Sequence, residues 1–405
     1  MKIILNLYSF PNVSETFIVS KFLGLLRSGL DAHIVCSNQN KTLLQFYWSQ
    51  DESSEILKRI HVNPPVKPYW KIPFYYIKII LIFFFTKPIF LFRIFQKGFK
   101  KEGVKFIKLF YLNYHLIYQN PDVISFEFGS LAKNKTFIKH ILDCKLTACF
   151  RGHDIDYVGI EEPDYYTEVW KNIDKFHFLG KALYQQALNR GLPESSPYQL
   201  IPPAIDLLRI IENKKDFDEN RCRKKTIRIL SVGRLHWVKG YEFSLQGLKI
   251  LREKNIDFEY QIIGSGKYSE AISFAIHQLG LNKSVELLGA KTHSEVIQHM
   301  LSADIFLHPA VEEGFGNVVL EAQALGLPVV CSDTIGLPEN IEDGVTGYLF
   351  HSRDIVDMVE KLILLINNPK LRKSMGKAGM KRVEEKFKIE DQIQAWIKFY
   401  QDINN

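Results

Sequence analysis

The sequence predicts an α/β protein with two domains, each built around a parallel β-sheet. Short apolar runs that suit buried strands alternate with helix-like segments along most of the chain, which is typical of parallel sheets. A chain of 405 residues is too long for one ordinary hydrophobic core. A proline pair at 202–203 and a charged spacer at 213–225 place the boundary within about 203–225. We predict three parts: an N-terminal domain at 1–205, a C-terminal domain at 206–390, and a helix at 391–405 that packs back toward the N-terminal domain.

The first domain opens with a β-α-β unit. Met1–Tyr8 suits a buried strand and is too short an apolar run for a secretory signal. An apolar stripe with helical spacing runs from Ile18 to Leu26, and Gly29 suits the end of that helix. Further strands are predicted at four apolar runs: Ala32–Cys36, Val123–Phe126, Leu146–Phe150 and Phe176–Leu179.

The second domain alternates regularly between strand and helix. Five apolar runs each precede a helix-like segment: Thr226–Val232, Tyr260–Ile263, Val285–Leu288, Ile305–Leu307 and Val329–Cys331. Gly264-Ser265-Gly266 follows the second run, but Ser269 stands where a nicotinamide-binding G-x-G-x-x-G motif needs its third glycine. We therefore interpret this segment as a tight turn.

The cysteines indicate a reducing compartment. The chain has five cysteines, which is an odd number. They are widely spaced and form no Cys-x-x-Cys pairs or clusters with histidines. We predict a cytoplasmic location and no zinc site.

A glycine-rich turn between a strand and a helix, at 309–321, carries two carboxylates eight residues apart, Glu313 and Glu321. Gly314 and Gly316 leave backbone amides uncovered at the helix start, where an anion such as a diphosphate is favoured. One carboxylate accepts hydrogen bonds from two adjacent hydroxyls, so the pair suits a ribose and a transferred sugar. The alternative is that Glu313 only complements the helix dipole and Glu321 is solvated.

A second loop supplies positive charge. Gly233 and Arg234 directly follow the strand at 226–232, and Lys239 precedes the next helix. In open α/β sheets ligands gather at the carboxyl ends of strands, so both cations suit a phosphate site. They would stabilise charge on a leaving diphosphate without a metal. The alternative is that both are simply solvated.

These residues carry a family resemblance. Gly233-Arg234-Leu235 with Lys239-Gly240, Glu313-Gly314-Phe315-Gly316 with Glu321-Ala322, and Gly326-Leu327-Pro328-Val329-Val330 resemble the retaining family 4 glycosyltransferases over about 200–390. The resemblance implies the GT-B fold, which is two Rossmann-like α/β/α domains facing a central cleft. The opening segment Phe10–Ile18 also resembles enzymes that assemble bacterial exopolysaccharide or colanic-acid-type units.

The resemblance implies roles for matched positions in the C-terminal domain. Arg234 and Lys239, next to Gly233, would bind the donor diphosphate. Glu313 would bind the donor sugar and Glu321 the nucleotide ribose. Amides around Gly314, Phe315, Gly316 and Asn317 would hold phosphate or sugar. The transfer would retain anomeric configuration, with no divalent metal and no cofactor; catalytic roles fall to Arg234, Lys239, Glu313 and His153.

The acceptor side is predicted in the N-terminal domain. By similarity, His153 lies near the reactive centre; the alternative is a loop histidine bonded to Asp154. Further acceptor-side candidates are Ser14, Glu15, Thr16, Arg151 and Asp154, although Ser14 also suits a helix cap. We interpret Asp154-Ile155-Asp156, a D-x-D pattern, as coincidental and not as a metal site. Glu127 stands where family members often have a histidine, which leaves the acceptor contacts open.

A basic aromatic insert at about 66–108 predicts a membrane-facing surface. It holds ten Lys or Arg against one Glu, a balance of +9 compared with +7 for the whole chain. Thirteen aromatic residues accompany these charges, as in a stretch lying in a membrane interface. Its longest uncharged run, Ile79–Thr86, has eight residues, too few to span a bilayer, so we predict peripheral attachment to the inner face of the cytoplasmic membrane. The alternative is that these aromatics form the domain core; their blocks do not suit nucleic-acid binding.

The expected function is therefore a hexosyl transfer. The partners would be a nucleotide-sugar donor, such as a UDP-sugar, and a saccharide or lipid-linked acceptor for cell-surface polysaccharide. Two other classes stay open: a GT-B sugar-nucleotide epimerase and a non-catalytic sugar-nucleotide-binding protein.

Overall fold

A computed structural model describes residues 1–12, 15–40, 42–43, 55–207, 210 and 226–403. They form two compact units. The first comprises Met1–Phe178, Tyr184–Ile201 and Ile393–Asn405, and the second comprises Leu179–Leu183 and Pro202–Gln392. Most of the predicted boundary region at 203–225 lies outside the described residues.

The first unit is built on seven parallel strands. They are β1 (Lys2–Phe10), β2 (Asp31–Gln39), β3 (Ile60–Val62), β4 (Val123–Phe126), β5 (Lys145–Phe150), β6 (Lys175–Phe178) and β7 (Tyr198–Leu200). Their order in the sheet is β3-β2-β1-β4-β5-β6-β7. The helices of this half of the chain are α1 (Thr16–Arg27), α2 (Ile72–Thr86), α3 (Pro88–Glu102), α4 (Lys105–Leu112), α5 (Tyr114–Gln119), α6 (Gly129–Ala132), α7 (Ile138–Ile141), α8 (Gly152–Asp156), α9 (Thr167–Asn172) and α10 (Lys181–Asn189).

The second unit is built on six parallel strands. They are β8 (Ile227–Val232), β9 (Phe258–Ile263), β10 (Val285–Gly289), β11 (Ile305–His308), β12 (Val329–Ser332) and β13 (Gly347–Phe350), in the order β10-β9-β8-β11-β12-β13. The remaining helices are α11 (Tyr241–Glu253), α12 (Ser269–Gln278), α13 (His293–Ser302), α14 (Asn317–Ala324), α15 (Leu337–Asn340), α16 (Ile355–Asn367), α17 (Pro369–Lys386) and α18 (Ile389–Gln401).

The parallel α/β prediction is confirmed, and its physical reason is burial on both faces of each sheet. Every residue of β4, β11 and β12 is buried, as expected for strands covered by helices on both sides. The predicted apolar stripe of α1 packs inward with Ile18, Phe22 and Leu25. From Ile393 onward, α18 belongs to the first unit, where Trp396 joins the core that contains β1 and β2.

The basic aromatic insert folds as three helices, α2, α3 and α4, and its apolar residues divide between core and surface. Phe83, Ile94, Phe106 and Phe110 are fully buried and pack against one another or their neighbours. Other large apolar side chains of the insert are exposed: Val66, Tyr69, Trp70, Phe74, Tyr75, Ile77, Leu81, Phe84, Phe85, Ile89, Phe92, Phe99, Val104 and Ile107. The core interpretation therefore holds for the buried part of the insert, and the membrane interpretation stays a prediction for its exposed residues.

The first helical segment of the insert is longer than the uncharged run from which peripheral attachment was predicted. The eight-residue uncharged run is continuous with the residues before it, and the helical segment Tyr69–Thr86 has 18 residues. Among the described residues, only this segment is long and apolar enough to cross a membrane, by length and composition alone. It contains Lys71 and Lys78 and is slightly shorter than the roughly 20 residues of a typical span.

Candidate active site

Two loops at the carboxyl ends of β8 and β11 approach each other closely in the second unit. Gly240 has a φ of 63°, and a Cβ at this position would lie 2.1 Å from the carbonyl oxygen of Pro309. Glycine is therefore required both by the backbone conformation and by the available space. This approach places Lys239 of the first loop beside Glu313 of the second.

Glu313 receives two donors on the same oxygen. Lys239 Nζ donates to Oε2 in a short ion pair, and His308 Nε2 donates to Oε2 at 2.9 Å. The side chains of Lys239 and Glu313 are 14% and 17% exposed, whereas His308 is 3% exposed. The other oxygen, Oε1, has no hydrogen bond with a described residue, so it is the atom left to accept from a ligand.

The electrostatics of this cluster keep Glu313 ionised. Burial raises the pKa of Glu313, but the charge of Lys239 and the hydrogen bond from His308 lower it, and the net pKa lies far below that of an ordinary glutamate. Burial lowers the pKa of His308, so its imidazole is neutral at pH 7. The cluster is therefore a carboxylate acceptor oriented by one ammonium and one neutral imidazole.

The glycine turn after Glu313 is bound through its carbonyl groups. Asn340 Nδ2 donates to the carbonyl oxygens of Phe315 and Gly316 at 3.1 and 3.0 Å, and Gln323 Nε2 donates to Asn340 Oδ1 at 2.7 Å. Gly316 has a φ of 85° and directly precedes α14. Within the described part of the chain, the N–H groups of 315–317 have no hydrogen bond, so they are available to an anion. The Phe315 side chain is buried, whereas Asn317 is exposed.

The other predicted donor residues are separate from this cluster. Arg234 is exposed, and Glu321 lies in α14, where its Oε1 accepts from His293 Nε2 at 3.2 Å. Among the described residues, no hydrogen bond or ion pair joins either side chain to Lys239 or Glu313. Gly233 lies against the predicted tight turn, because a Cβ at Gly264 would meet the Gly233 carbonyl oxygen at 1.8 Å.

In the first unit, the segment that bears His153 is anchored by its neighbours. Asp154 is buried, and its two oxygens accept from the backbone N–H groups of Ser130 and Arg151 at 3.0 and 3.2 Å. Burial raises the pKa of Asp154, and these hydrogen bonds oppose the rise. His153 is exposed and contacts the Tyr157 ring, with centroids 5.7 Å apart. Asp154 thus acts as a cap of α8, and neither of its oxygens is bonded to His153.

The remaining acceptor-side candidates lie near the start of α1. Glu15 is half-buried and accepts from Asn12 Nδ2 at 3.2 Å. Burial raises the pKa of Glu15, and the positive charge of Arg151 opposes the rise. The Arg151 guanidinium lies 4.0 Å from the centroid of the Phe17 ring in α1. Thr16 is exposed at the first position of the helix, whereas Ser14 lies outside the described residues.

Glu127, the residue that departs from the family pattern, is fully buried. Lys21 Nζ donates to its Oε1 at 2.7 Å, and Ser125 Oγ donates to the same oxygen at 2.9 Å. Lys21 also lies 3.3 Å from the centroid of the Trp396 ring in α18. Glu127 is therefore paired with Lys21 of α1, as a buried charge requires, and Lys21 in turn contacts α18.

Sequence reasoning missed four residues of the second unit: His308, His293, Asn340 and Gln323. His308 directly follows the predicted strand at 305–307, and that position at the carboxyl end of a strand could have singled it out. The other three had no local signal, because each acts on a residue at least 17 positions away.

Comparison with known proteins identifies the family to which this chain belongs. The model of "Glycosyl transferases group 1" matches residues 212–382, which include every predicted donor residue. An uncharacterized glycosyltransferase of Methanocaldococcus jannaschii is 32% identical over 279 residues, which cover 68% of this chain and 72% of that protein. The capsular polysaccharide biosynthesis glycosyltransferase CapM of Staphylococcus aureus is 32% identical over 181 residues, which cover 43% of this chain and 47% of CapM.

Solved structures support the predicted fold. The crystal structure of Anabaena HepE in complex with UDP-glucose resembles this chain with a TM-score of 0.73 at 15% identity, and the match covers 99% of this chain and all of that one. The two parallel-sheet units thus confirm the predicted GT-B class. The chain belongs to the group 1 glycosyl transferase family.

Proposed function

We propose that the chain is a retaining family 4 glycosyltransferase that moves a hexosyl group from a nucleoside diphosphate sugar to a saccharide acceptor. The observation that carries this proposal is Glu313, whose Oε2 is occupied by Lys239 and His308. In the part of the chain that the structure describes, its Oε1 accepts no hydrogen bond, and the adjacent turn has unbonded amides. A carboxylate with one free oxygen suits sugar hydroxyls, and uncovered amides suit phosphate.

In the proposed transfer, the second unit supports the leaving group. The bond between the anomeric carbon and the diphosphate oxygen breaks, and negative charge grows on the diphosphate. Lys239 and Arg234 stabilise that charge together with the amides of 315–317. Lys239 retains two ammonium hydrogens beyond the one donated to Glu313. Since these groups do the charge stabilisation, the proposal requires no divalent metal or other cofactor.

The two carboxylates bind the sugars at either end of the diphosphate. Glu313 Oε1 accepts from hydroxyls of the transferred sugar, and Glu321 accepts from the ribose diol. His293 Nε2 already donates to Glu321 Oε1 at 3.2 Å and orients it. A bidentate contact to two adjacent hydroxyls explains why a carboxylate serves here better than a neutral acceptor.

Retention follows in this proposal because attack and departure take place on the same face of the sugar, with no enzyme nucleophile and no covalent intermediate. The acceptor oxygen attacks on the face that the diphosphate leaves, and the departing diphosphate takes the acceptor proton. His153 lies near the reacting sugar and contributes through its side chain or backbone. Arg151, Glu15 and Thr16 contact the acceptor.

Relatives supply the proposed biological role. CapM is named for capsular polysaccharide biosynthesis, and the HepE crystal structure contains UDP-glucose. We therefore assign this chain to cell-surface polysaccharide biosynthesis with a UDP-sugar as donor. The acceptor is lipid-linked, because the basic aromatic insert suits a membrane surface.

The proposed membrane surface is formed by the exposed side of the insert. Phe85, Ile89 and Phe92 are among its most exposed apolar side chains, at 78%, 76% and 73%. Nine cations of the insert are exposed, and none of them makes an ion pair with a described residue: Lys67, Lys71, Lys78, Arg93, Lys97, Lys100, Lys101, Lys105 and Lys108. Apolar side chains among unpaired cations are complementary to an anionic bilayer, so we assign peripheral attachment at the cytoplasmic face.

A donor panel tests the proposal. Purified protein is incubated with UDP-glucose, UDP-galactose, UDP-N-acetylglucosamine or GDP-mannose, with and without a polyprenyl diphosphate-linked saccharide, in the presence of a chelator. Release of nucleoside diphosphate that depends on the acceptor, and a product with the donor's anomeric configuration by NMR, are expected. Glu313→Gln should lose this activity, whereas Glu385→Gln, in an exposed pair with Lys381, should retain it. An inverted product contradicts retention, an epimer formed without acceptor indicates an epimerase, and binding without release indicates a scaffold.

A further inference from the structure

The helix that carries His153 is too short to be stable alone. α8 has five residues, and isolated helices below about 12 residues are marginal in water. Its C-terminal carbonyl groups have no partners within the helix. The position of His153 therefore depends on contacts made by other parts of the first unit.

A single guanidinium supplies most of these contacts. Arg190, from the segment after α10, donates from Nη1 to the carbonyl oxygens of Asp154, Ile155 and Val158 at 3.3, 2.9 and 2.9 Å. Its Nη2 donates to the Gly159 carbonyl oxygen at 2.8 Å. Four carbonyl groups at the end of α8 and in the following turn thus converge on one side chain.

Arg190 is itself fixed by two aromatic residues. Its guanidinium lies 5.0 Å from the centroid of the Tyr166 ring, and Trp170 Nε1 donates to its carbonyl oxygen at 3.0 Å. The buried Tyr166 hydroxyl also donates to the Asp154 carbonyl oxygen at 2.8 Å. Because Asp154 anchors the start of α8 through Ser130, both ends of the helix are tied to the core.

The side chain between these anchors is exposed. His153 lies within α8, yet its imidazole makes no hydrogen bond with a described residue. The hydrogen bonds from Arg190 to the carbonyl groups of 154–159, here called the cage, fix this backbone and leave the His153 imidazole exposed. Such an arrangement suits a side chain that contacts a ligand. Arginine suits the cage because its planar fork has five donors, whereas lysine offers three donors from one point.

We propose that Arg190 is a positioning residue that holds the His153 imidazole in place for sugar transfer. This inference rests on the proposed function, because it takes His153 to lie near the reacting sugar. Arg190 itself touches no substrate. Its effect passes through the backbone of 153–159.

A double-mutant cycle with His153→Ala tests this inference. Turnover is measured as nucleoside diphosphate released from the panel donor that the parent cleaves fastest. Arg190→Lys should lower kcat about tenfold or more, since a shift of about 1 Å at a reacting group can cost 10². The donor KM should stay within about twofold. In the His153→Ala background, the same change should alter kcat by less than about twofold.

Arg372→Lys is the matched control. Arg372 Nη1 donates to the carbonyl oxygens of Leu365 and Ile366 at 2.6 and 3.0 Å, so it also binds the end of a helix, but in the second unit. Its replacement should lower the melting temperature without changing kcat. Hydrogen exchange should quicken at 153–159 in Arg190→Lys and stay unchanged there in the control.

Three outcomes overturn the inference. Arg190→Lys with parental kcat shows that the cage is dispensable, and an equal loss in both backgrounds shows an effect that bypasses His153. Parental kcat in His153→Ala shows that the His153 imidazole takes no part in transfer, which removes the positioning role proposed for Arg190. Failure of the proposed donor site is seen separately, because Glu313→Gln would then retain the parent's donor turnover.

Discussion

Replacing Lys239 by methionine tests the electrostatics of the proposed donor site. The change removes the ammonium that pairs with Glu313 Oε2 but keeps a side chain of similar length. The pair is mostly but not fully buried, at 14% and 17% exposure, so we expect less than the roughly 3–5 kcal/mol of a broken buried pair. We therefore expect the free energy of unfolding to fall by about 1.5–3 kcal/mol, which is the range for a hydrogen bond to a charged group. Turnover should fall by about 10²–10³, the scale of losing one preorganised charge stabiliser.

The pH dependence of this stability loss has a definite sign. Glu313 has a pKa in the folded protein that is lowered relative to the unfolded chain, mainly because Lys239 outweighs burial. Its contribution is therefore present above the unfolded pKa of about 4.3 and disappears as pH falls toward the folded value. The difference in unfolding free energy between the parent and Lys239→Met should be full at about pH 6–8 and shrink below about pH 4.

Urea unfolding at several pH values and nucleoside diphosphate release at pH 7 measure these effects. Lys249→Met is the control, because Lys249 forms an exposed pair with Glu253 at 3.7 Å in the same unit. Such pairs contribute about 0.3–0.5 kcal/mol, so this variant should unfold and turn over nearly like the parent. The reasoning is refuted if Lys239→Met matches Lys249→Met in both measurements.

Three further predictions concern the donor and the membrane. Arg234→Ala should lower turnover by about 10²–10³ while unfolding like the parent, because Arg234 is exposed; parental turnover would remove it from the leaving-group site. Glu321→Ala should weaken UDP binding by calorimetry, and an unchanged titration would remove the ribose assignment. The double variant Phe85→Ser, Phe92→Ser should sediment less with phosphatidylglycerol vesicles than the parent. Phe274→Ser, which changes an exposed aromatic residue of the second unit, should sediment like the parent. Equal sedimentation of the parent and both variants would show that the exposed side of the insert does not bind lipid.

The two loops of the proposed donor site were predictable because their signals are local. The spacing of Glu313 and Glu321 around glycines, and the position of Lys239 after a strand, can be read from neighbouring residues. The ion pair between Lys239 and Glu313 depends on two loops 74 residues apart and on Gly240 permitting their approach. Sequence patterns identify such loops but do not establish which atoms meet.

The first unit was less predictable because its key contacts are long-range. Glu127 and Lys21 are 106 residues apart, and nothing near either position predicts a buried pair. In the insert, composition predicted aromatic and basic character. It could not separate buried Phe83 from exposed Phe84 and Phe85, since that depends on how α2 is rotated against its neighbours. Short edge strands such as β3 and β7 also lacked the length that periodicity requires.

A crystal structure with bound UDP tests the central claim most directly. We expect the diphosphate within hydrogen-bond distance of Lys239 Nζ and the N–H groups of 315–317, and the ribose hydroxyls on the Glu321 carboxylate. A nucleotide bound elsewhere, with Lys239, Glu313 and Glu321 all out of its reach, would contradict the account.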